Sequence, residues 1–139
     1  IVSYPRATEG QYLYEHEFGY DDDGSPMTNV FIESSDFDIG DGESFGFVRR
    51  IIPDIKFLSN SAAGQVNAVL KTRNYPGDTL TTASTSVIES NTSKADVRAR
   101  ARQIVFRLES DDDAGNSGNN DVGWRLGATR LDIQTDGRR

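Results

Sequence analysis

The sequence predicts an all-β fold: an antiparallel β-sandwich of about seven to eight strands, preceded by an irregular N-terminal arm. Three observations carry that expectation. Apolar residues recur at every second position in short runs, where a long helix would repeat them at three and four. Gly, Asn, Asp and Ser punctuate those runs at intervals suited to a sandwich or barrel. The 139 residues include 13 glycines and only 35% apolar residues, which fits a thin core with many turns.

Residues 1–29 form the lead-in. Tyr4, Tyr12, Tyr14, Phe18 and Tyr20 place aromatic rings in a polar setting without a clean period, and Asp21-Asp22-Asp23-Gly24-Ser25-Pro26 reads as a solvated loop. Such rings either anchor on a neighbouring surface or pack on the domain's own edge. Tyr12, Tyr14, Phe18 and Tyr20 are the candidates for arm docking.

The sandwich is expected over 30–139. Residues 30–33 are a short apolar strand, Phe37 and Ile39 follow, and Gly40-Asp41-Gly42 turns the chain. In the next strand, Ser44–Ile52, alternation puts Phe45 and Phe47 on one face and Val48, Arg50 and Ile52 on the other. Pro53 ends that strand, and Ile55 and Phe57 continue the extended run. In Gln65–Arg73, Val66, Ala68 and Leu70 alternate with Asn67, Val69 and Lys71, and Asn74-Tyr75-Pro76-Gly77-Asp78 is a strong turn. The Thr-rich stretch 79–88 has few apolar residues and belongs at a sheet edge. After the polar loop 111–121, Val122, Trp124 and Leu126 alternate, Gly127 interrupts, and Leu131 and Ile133 alternate again.

The most distinctive stretch is VRARARQIVFRL at 97–108. As a strand it would place Arg98, Arg100, Arg102, Ile104, Phe106 and Leu108 on one face. A helix competes: Val97, Ala101, Ile104, Val105 and Leu108 also fit a helical stripe, and Ser93 with Asp96 resembles a capping-box start. The strict R-A-R-A-R alternation and the β character of every other segment favour the strand. Ile104, Phe106, Trp124 and Leu126 are the expected core.

Charge is unevenly distributed. The formal net charge is −7; residues 1–58 carry 12 acids against 4 bases, 59–110 carry 4 against 7, and 111–139 carry 6 against 4. A basic middle between acidic ends disfavours a polyanion as partner unless the arginines gather into one patch. Arg98, Arg100 and Arg102 would lie about 6.6 Å apart along one side of a strand, and Arg49 with Arg50 are able to join them. The expected use is pairing with Asp or Glu on a neighbouring strand or subunit, ahead of nucleic-acid binding.

Catalytic and metal chemistry find little to stand on. There is no cysteine, and one histidine, His16, beside two glutamates is too few ligands for zinc. Asp36, Asp38, Asp41 and Glu43 superficially resemble a calcium loop, but Gly40 and Phe47 fall where that loop needs oxygen ligands. A solvated hairpin end is the expectation there, with no cofactor and no enzymatic role. The sequon Asn91-Thr92-Ser93 has no secretory context. No apolar run is long enough to span a membrane. The chain opens on Ile1 without an initiator Met, which suggests a segment of a longer or processed polypeptide.

The stretches FIESSDFDIGDGESFGFVRRIIPDIKF, VLKTRNYPG, RARARQIVFRLES and the closing GWRLGATRLDIQTDGRR together resemble a known family. From about residue 13 to its end the chain is similar to the C-terminal part of tail proteins of short-tailed bacteriophages, the stabilisation, tail tubular or nozzle proteins. That resemblance implies a β-rich virion component, made in the bacterial host and built into the tail. It implies a ring, often a hexamer, coaxial with the portal and adaptor and contacting other tail proteins. Double-stranded DNA would pass transiently through its channel, and no catalytic residues carry over. The alternative is a carbohydrate- or receptor-binding sandwich whose Tyr4, Tyr12, Tyr14, Tyr20, Tyr75 and Trp124 form a stacking platform. A sheet-face binder of single-stranded DNA is a third class, and would need the arginines beside exposed aromatics.

Overall fold

The computed structural model describes residues 2–4, 12–14, 19–22, 25–39, 42–58, 64–110 and 122–138, and none of these is helical. Among these described residues thirteen strands follow in order. They are β1 (Val2–Tyr4), β2 (Tyr12–Tyr14), β3 (Asp21–Asp22), β4 (Ser25–Pro26), β5 (Phe31–Glu33), β6 (Ser44–Ile52) and β7 (Ile55–Phe57). Then come β8 (Gln65–Arg73), β9 (Thr81–Glu89), β10 (Ala95–Ala101), β11 (Gln103–Ser110), β12 (Trp124–Leu126) and β13 (Arg130–Arg138). The fold is an all-β, sandwich-like arrangement, as the alternation predicts. One sheet has the order β10-β6-β13 and the other β5-β11-β8-β9, with every pairing antiparallel.

The core lies between these two sheets. Val48 and Ile51 from β6, Val66, Ala68 and Leu70 from β8, Ile88 from β9, and Ile104 and Leu108 from β11 are all buried there. From β10 come Ala95, Val97, Ala99 and Ala101. Three of those four are alanines, so β10 contributes little volume and the larger residues of the facing strands fill the space. Of the expected core, Ile104 is fully buried, while Phe106, Trp124 and Leu126 are half-buried and pack against the cluster.

Two phase shifts depart from simple alternation. In β6, Asp132 pairs with Arg50 and Ile133 with Val48, so Arg49 is a bulged extra residue. Val48 and Ile51 both point inward, and Arg49 and Arg50 both stay outside. Arg50 and Ile52 therefore share the outer face with Phe45 and Phe47, and the expected grouping of Arg50 and Ile52 with Val48 is corrected. The driving force is plain: an unbroken alternation would force a guanidinium or an isoleucine onto the wrong side.

The second shift is at Arg102. The stretch 97–108 is not one strand: the chain bends at Arg102 and passes from one sheet to the other. Before the bend the odd-numbered residues face the core; after it Ile104 and Leu108 do. The expectation that Arg98, Arg100, Ile104 and Leu108 share a face is overturned. Keeping one face throughout would bury two guanidinium groups in the apolar layer, and the bend avoids that cost.

Past Pro53 and Asp54, β7 pairs with β12 and prolongs the β6–β13 ladder. Gly127 N–H donates to Asp54 O at 2.7 Å, and Ala128 N–H donates to the Asp54 carboxylate at 2.9 Å. A Cβ on Gly127 would overlap that carboxylate and displace it from Ala128 N–H. Within the lead-in, β1 pairs with β2 and β3 with β4 as short ladders.

Each long edge is guarded. The edge strands β9 and β10 lie against each other, joined by a turn in which Thr92 N–H donates to Glu89 O. The β5 edge is three residues long, and β13 carries two register shifts and several charges. Short, bulged and charged edges resist strand addition.

Candidate functional site

The outer face of the β10-β6-β13 sheet gathers the predicted arginines. Arg49 and Arg50 come from the β6 bulge, Arg98 and Arg100 from the outward positions of β10, and Arg102 from the bend. The structure therefore brings together two clusters that are 48 residues apart in sequence, because Asp96 pairs with Arg50 and Arg100 with Phe47. Among the described residues these five arginines sit here, with Arg130 of β13 on the same side opposite Ile52, against the acids Asp96, Asp132 and Asp136. On a chain of net charge −7 this is a basic face on an acidic body.

Its members are held to different degrees. Arg49 Nε donates to Asp132 Oδ2 at 2.9 Å. Arg100 is clamped by Asp136, through the carboxylate and through a 3.1 Å bond to its carbonyl, and its Cζ lies 4.3 Å from the Phe45 ring centre. Arg50 Nε is 3.7 Å from Asp96 Oδ1, too long for a hydrogen bond. Arg102 Cζ lies 5.4 Å from the rings of both Phe45 and Tyr75. Arg98 is exposed and makes no ion pair among the described residues. These pairs are mostly solvent-exposed, so each adds only about 0–1 kcal/mol to folding, and the face remains open to a partner.

The opposite outer face, on the β5-β11-β8-β9 sheet, is already self-paired. Glu33 takes Lys71 Nζ at 2.6 Å and Arg107 Nη1 at 3.3 Å, while Arg107 Nε donates to Glu109 at 2.5 Å and its guanidinium covers Phe31 at 3.6 Å. Arg73 bonds Gln103 at 2.8 Å and pairs with Asp36. The Lys71 bond holds the Glu33 carboxyl below the usual carboxylate range, burial working against it and Arg107 adding to it. The Arg73 bond does the same for Asp36. With three bases facing three acids, this face has little charge left over.

A third feature was not foreseen. Tyr20, Met27, Val30, Phe31, Ile32 and Trp124 line an apolar cavity of roughly 320 Å³ at the end of the sandwich where β8 begins and β11 finishes. The Tyr20 ring lies on Gly123, where a Cβ would come within 2.6 Å of it. Trp124 Nε1 donates to Ser110 Oγ at 2.8 Å. Of the arm-docking candidates, Tyr20 thus packs on this domain; Tyr12 and Tyr14 lie in β2, but their side chains, like all of Phe18, lie outside the described residues. Tyr75 sits beyond the far end of β8, so Tyr20, Trp124 and Tyr75 do not make one stacking platform. In sequence the cavity leaves no sign beyond the short apolar run Val30-Phe31-Ile32, whose exposure only the structure shows.

Among the described residues no group of three or more His, Cys, Asp or Glu is placed to hold a metal ion, and no helix is long and apolar enough to cross a membrane. His16 and Asp41 lie outside the described residues. No protein-family model matches the chain, and a comparison with curated proteins finds no match either.

Proposed function

We propose that this chain is a non-enzymatic building block of the tail nozzle of a short-tailed phage, assembling into a ring around the channel through which DNA leaves. The observation that carries the association is the five-arginine face, basic and partly unpaired on an otherwise acidic chain. The four quoted stretches, which resemble nozzle and tail tubular proteins, carry the virion assignment. Guarded edges add weight, since they leave faces and ends as the means of contact.

The mechanism is geometric. A ring needs one complementary surface on each side of the protomer, repeated by a rotation that closes. The arginine face supplies one surface and the acidic remainder of a neighbour supplies its counterpart. A net-negative wall lining the channel repels phosphates and keeps the DNA mobile. Portal, adaptor and other tail proteins are the expected axial partners.

The test is the particle mass by light scattering across a salt series, for the wild type and for Arg98, Arg100 and Arg102 all replaced by Ala. A closed ring of about six copies that loosens with salt, and loosens further in the triple variant, is the expected result. A ring of unchanged mass and salt response in the variant removes the arginine contact.

A further inference from the structure

On the β10 side of β6 the ladder slips by one residue. Asp96 pairs with Arg50 and Ala99 with Val48, so Val97 and Arg98 together stand opposite the single residue Arg49. Val97 turns into the core and Arg98 turns out, which makes Arg98 the outer-face neighbour of Arg49, with Arg50 next along β6. Like charges set opposite one another across two strands are destabilising. Asp132 answers Arg49 at 2.9 Å, but among the described residues no ion pair answers Arg98.

Arg50 is answered poorly. Its Nε is shielded from solvent yet makes no hydrogen bond, the Asp96 carboxylate standing 3.7 Å away. An unmade hydrogen bond on a buried charged group is costly, and a fold that keeps one calls for an explanation. The three arginines, with Phe47, Ser84 and Asp96, line a cleft of roughly 610 Å³ where β9 meets β10.

We propose that this cleft binds a phosphate monoester, its dianion held by Arg49, Arg50 and Arg98 and its organic part resting on Phe47 beside Ser84. The cleft is complete in one copy, so the inference stands apart from the ring reading. The guanidinium groups come from two strands, and a tetrahedral dianion accepts from several directions at once, where a carboxylate offers two coplanar oxygens. Arg49 is fixed by Asp132 through Nε alone and keeps further donors. Asp96 is the competing carboxylate, and its side chain, 78% exposed, has room to swing aside. A nucleic-acid strand would need a row of available cations along β10, and the next arginine of that row, Arg100, is already clamped by Asp136.

The experiment titrates the 139-residue chain in dilute solution, at fixed ionic strength, with phenyl phosphate, inorganic phosphate and benzoate, and follows backbone amides by NMR. Saturable shifts at Phe47, Arg49 and Arg98 are expected, with phenyl phosphate bound more tightly than inorganic phosphate and benzoate. Arg98→Gln should weaken phenyl phosphate by about tenfold or more, the loss of a charge-assisted hydrogen bond. Asp96→Asn should tighten it by about two- to fivefold, as removal of an exposed competing charge allows. Both variants should keep the wild-type urea midpoint, since both side chains are exposed. Shifts that never saturate, or wild-type affinity in Arg98→Gln, overturn the site. Equal binding of inorganic phosphate overturns the monoester, and equal binding of benzoate overturns the phosphate class. A DNA oligonucleotide that displaces phenyl phosphate and also shifts Arg100 and Arg102 overturns the small ligand and points to nucleic acid.

Discussion

Replacing Glu33 by Gln tests the ion network on the second sheet, and its consequence can be worked through with pH. One carboxylate oxygen of Glu33 receives Lys71 at 2.6 Å and Arg107 at 3.3 Å, and the three side chains are between 18% and 28% exposed. Exposed pairs contribute about 0.2–1 kcal/mol each, and hydrogen bonds to a charged group about 1.5–3 when buried. At this intermediate exposure, discounted for solvent screening, the two contacts together are worth about 1–2 kcal/mol. Gln keeps a neutral acceptor, so the variant should lose about 1 kcal/mol at neutral pH. The Glu33 carboxyl titrates below its usual range because of the Lys71 bond, against the opposing effect of burial, with Arg107 assisting. A depressed folded-state pKa stabilises the protein above the unfolded value, near 4.3, and that stability is lost as pH falls through the folded value. The gap between wild type and variant should therefore be flat from about pH 8 to 6 and should close below about pH 4. Urea unfolding at each pH measures it. A gap that persists unchanged into strong acid, or none at pH 7, would refute the assignment of Glu33 as the charged centre of this face.

Three further variants probe the frame. Gly127→Ala should cost about 1–3 kcal/mol by urea unfolding, because the new Cβ displaces the Asp54 carboxylate from Ala128 N–H; Asp54→Ala in the same background should recover part of the loss, the two being coupled. Leu70→Ala empties a fully buried site between the sheets and should cost about 2–5 kcal/mol, seen as a lowered urea midpoint. Ser110→Ala removes the acceptor of the indole N–H of the only tryptophan, and should cost about 1 kcal/mol while altering its near-ultraviolet circular dichroism; an unchanged aromatic signal would show that the bond does not fix Trp124.

Strong local punctuation made much of the fold legible. The bounds of β6 and β8 were readable because Pro53 and the turn Asn74-Tyr75-Pro76-Gly77-Asp78 stop them with side-chain chemistry that no tertiary contact overrides. The edge position of β9 followed from its threonines. What alternation hides is a change of phase. The Arg49–Arg50 bulge and the Arg102 bend each move one residue, and a one-residue shift reverses every face that follows. A signal existed in each case: Val48 and Ile51 are apolar residues three apart around an arginine pair, and Ile104-Val105 is an adjacent apolar pair just past Arg102. The five arginines could be named from sequence, but their meeting on one face depended on the β6–β10 register. The Glu33–Lys71–Arg107 network was out of reach altogether, since its members come together only through β5, β11 and β8 in a register that no local pattern encodes.

The proposed arginine contact follows from where the protein has left surface unfinished. Its edges are short, bulged or covered, and its second sheet has matched its own charges, so neither invites a neighbour. The arginine face remains, and salt tests it. Sodium chloride screens charge over a Debye length of about 8 Å near physiological strength, so it weakens a contact made by arginines. Sulfate screens too, but it also strengthens apolar burial. At matched ionic strength, an assembly held mainly by arginines should therefore loosen in both salts, whereas one that survives clearly better in sulfate would show that apolar burial, and not the arginine face, carries the contact.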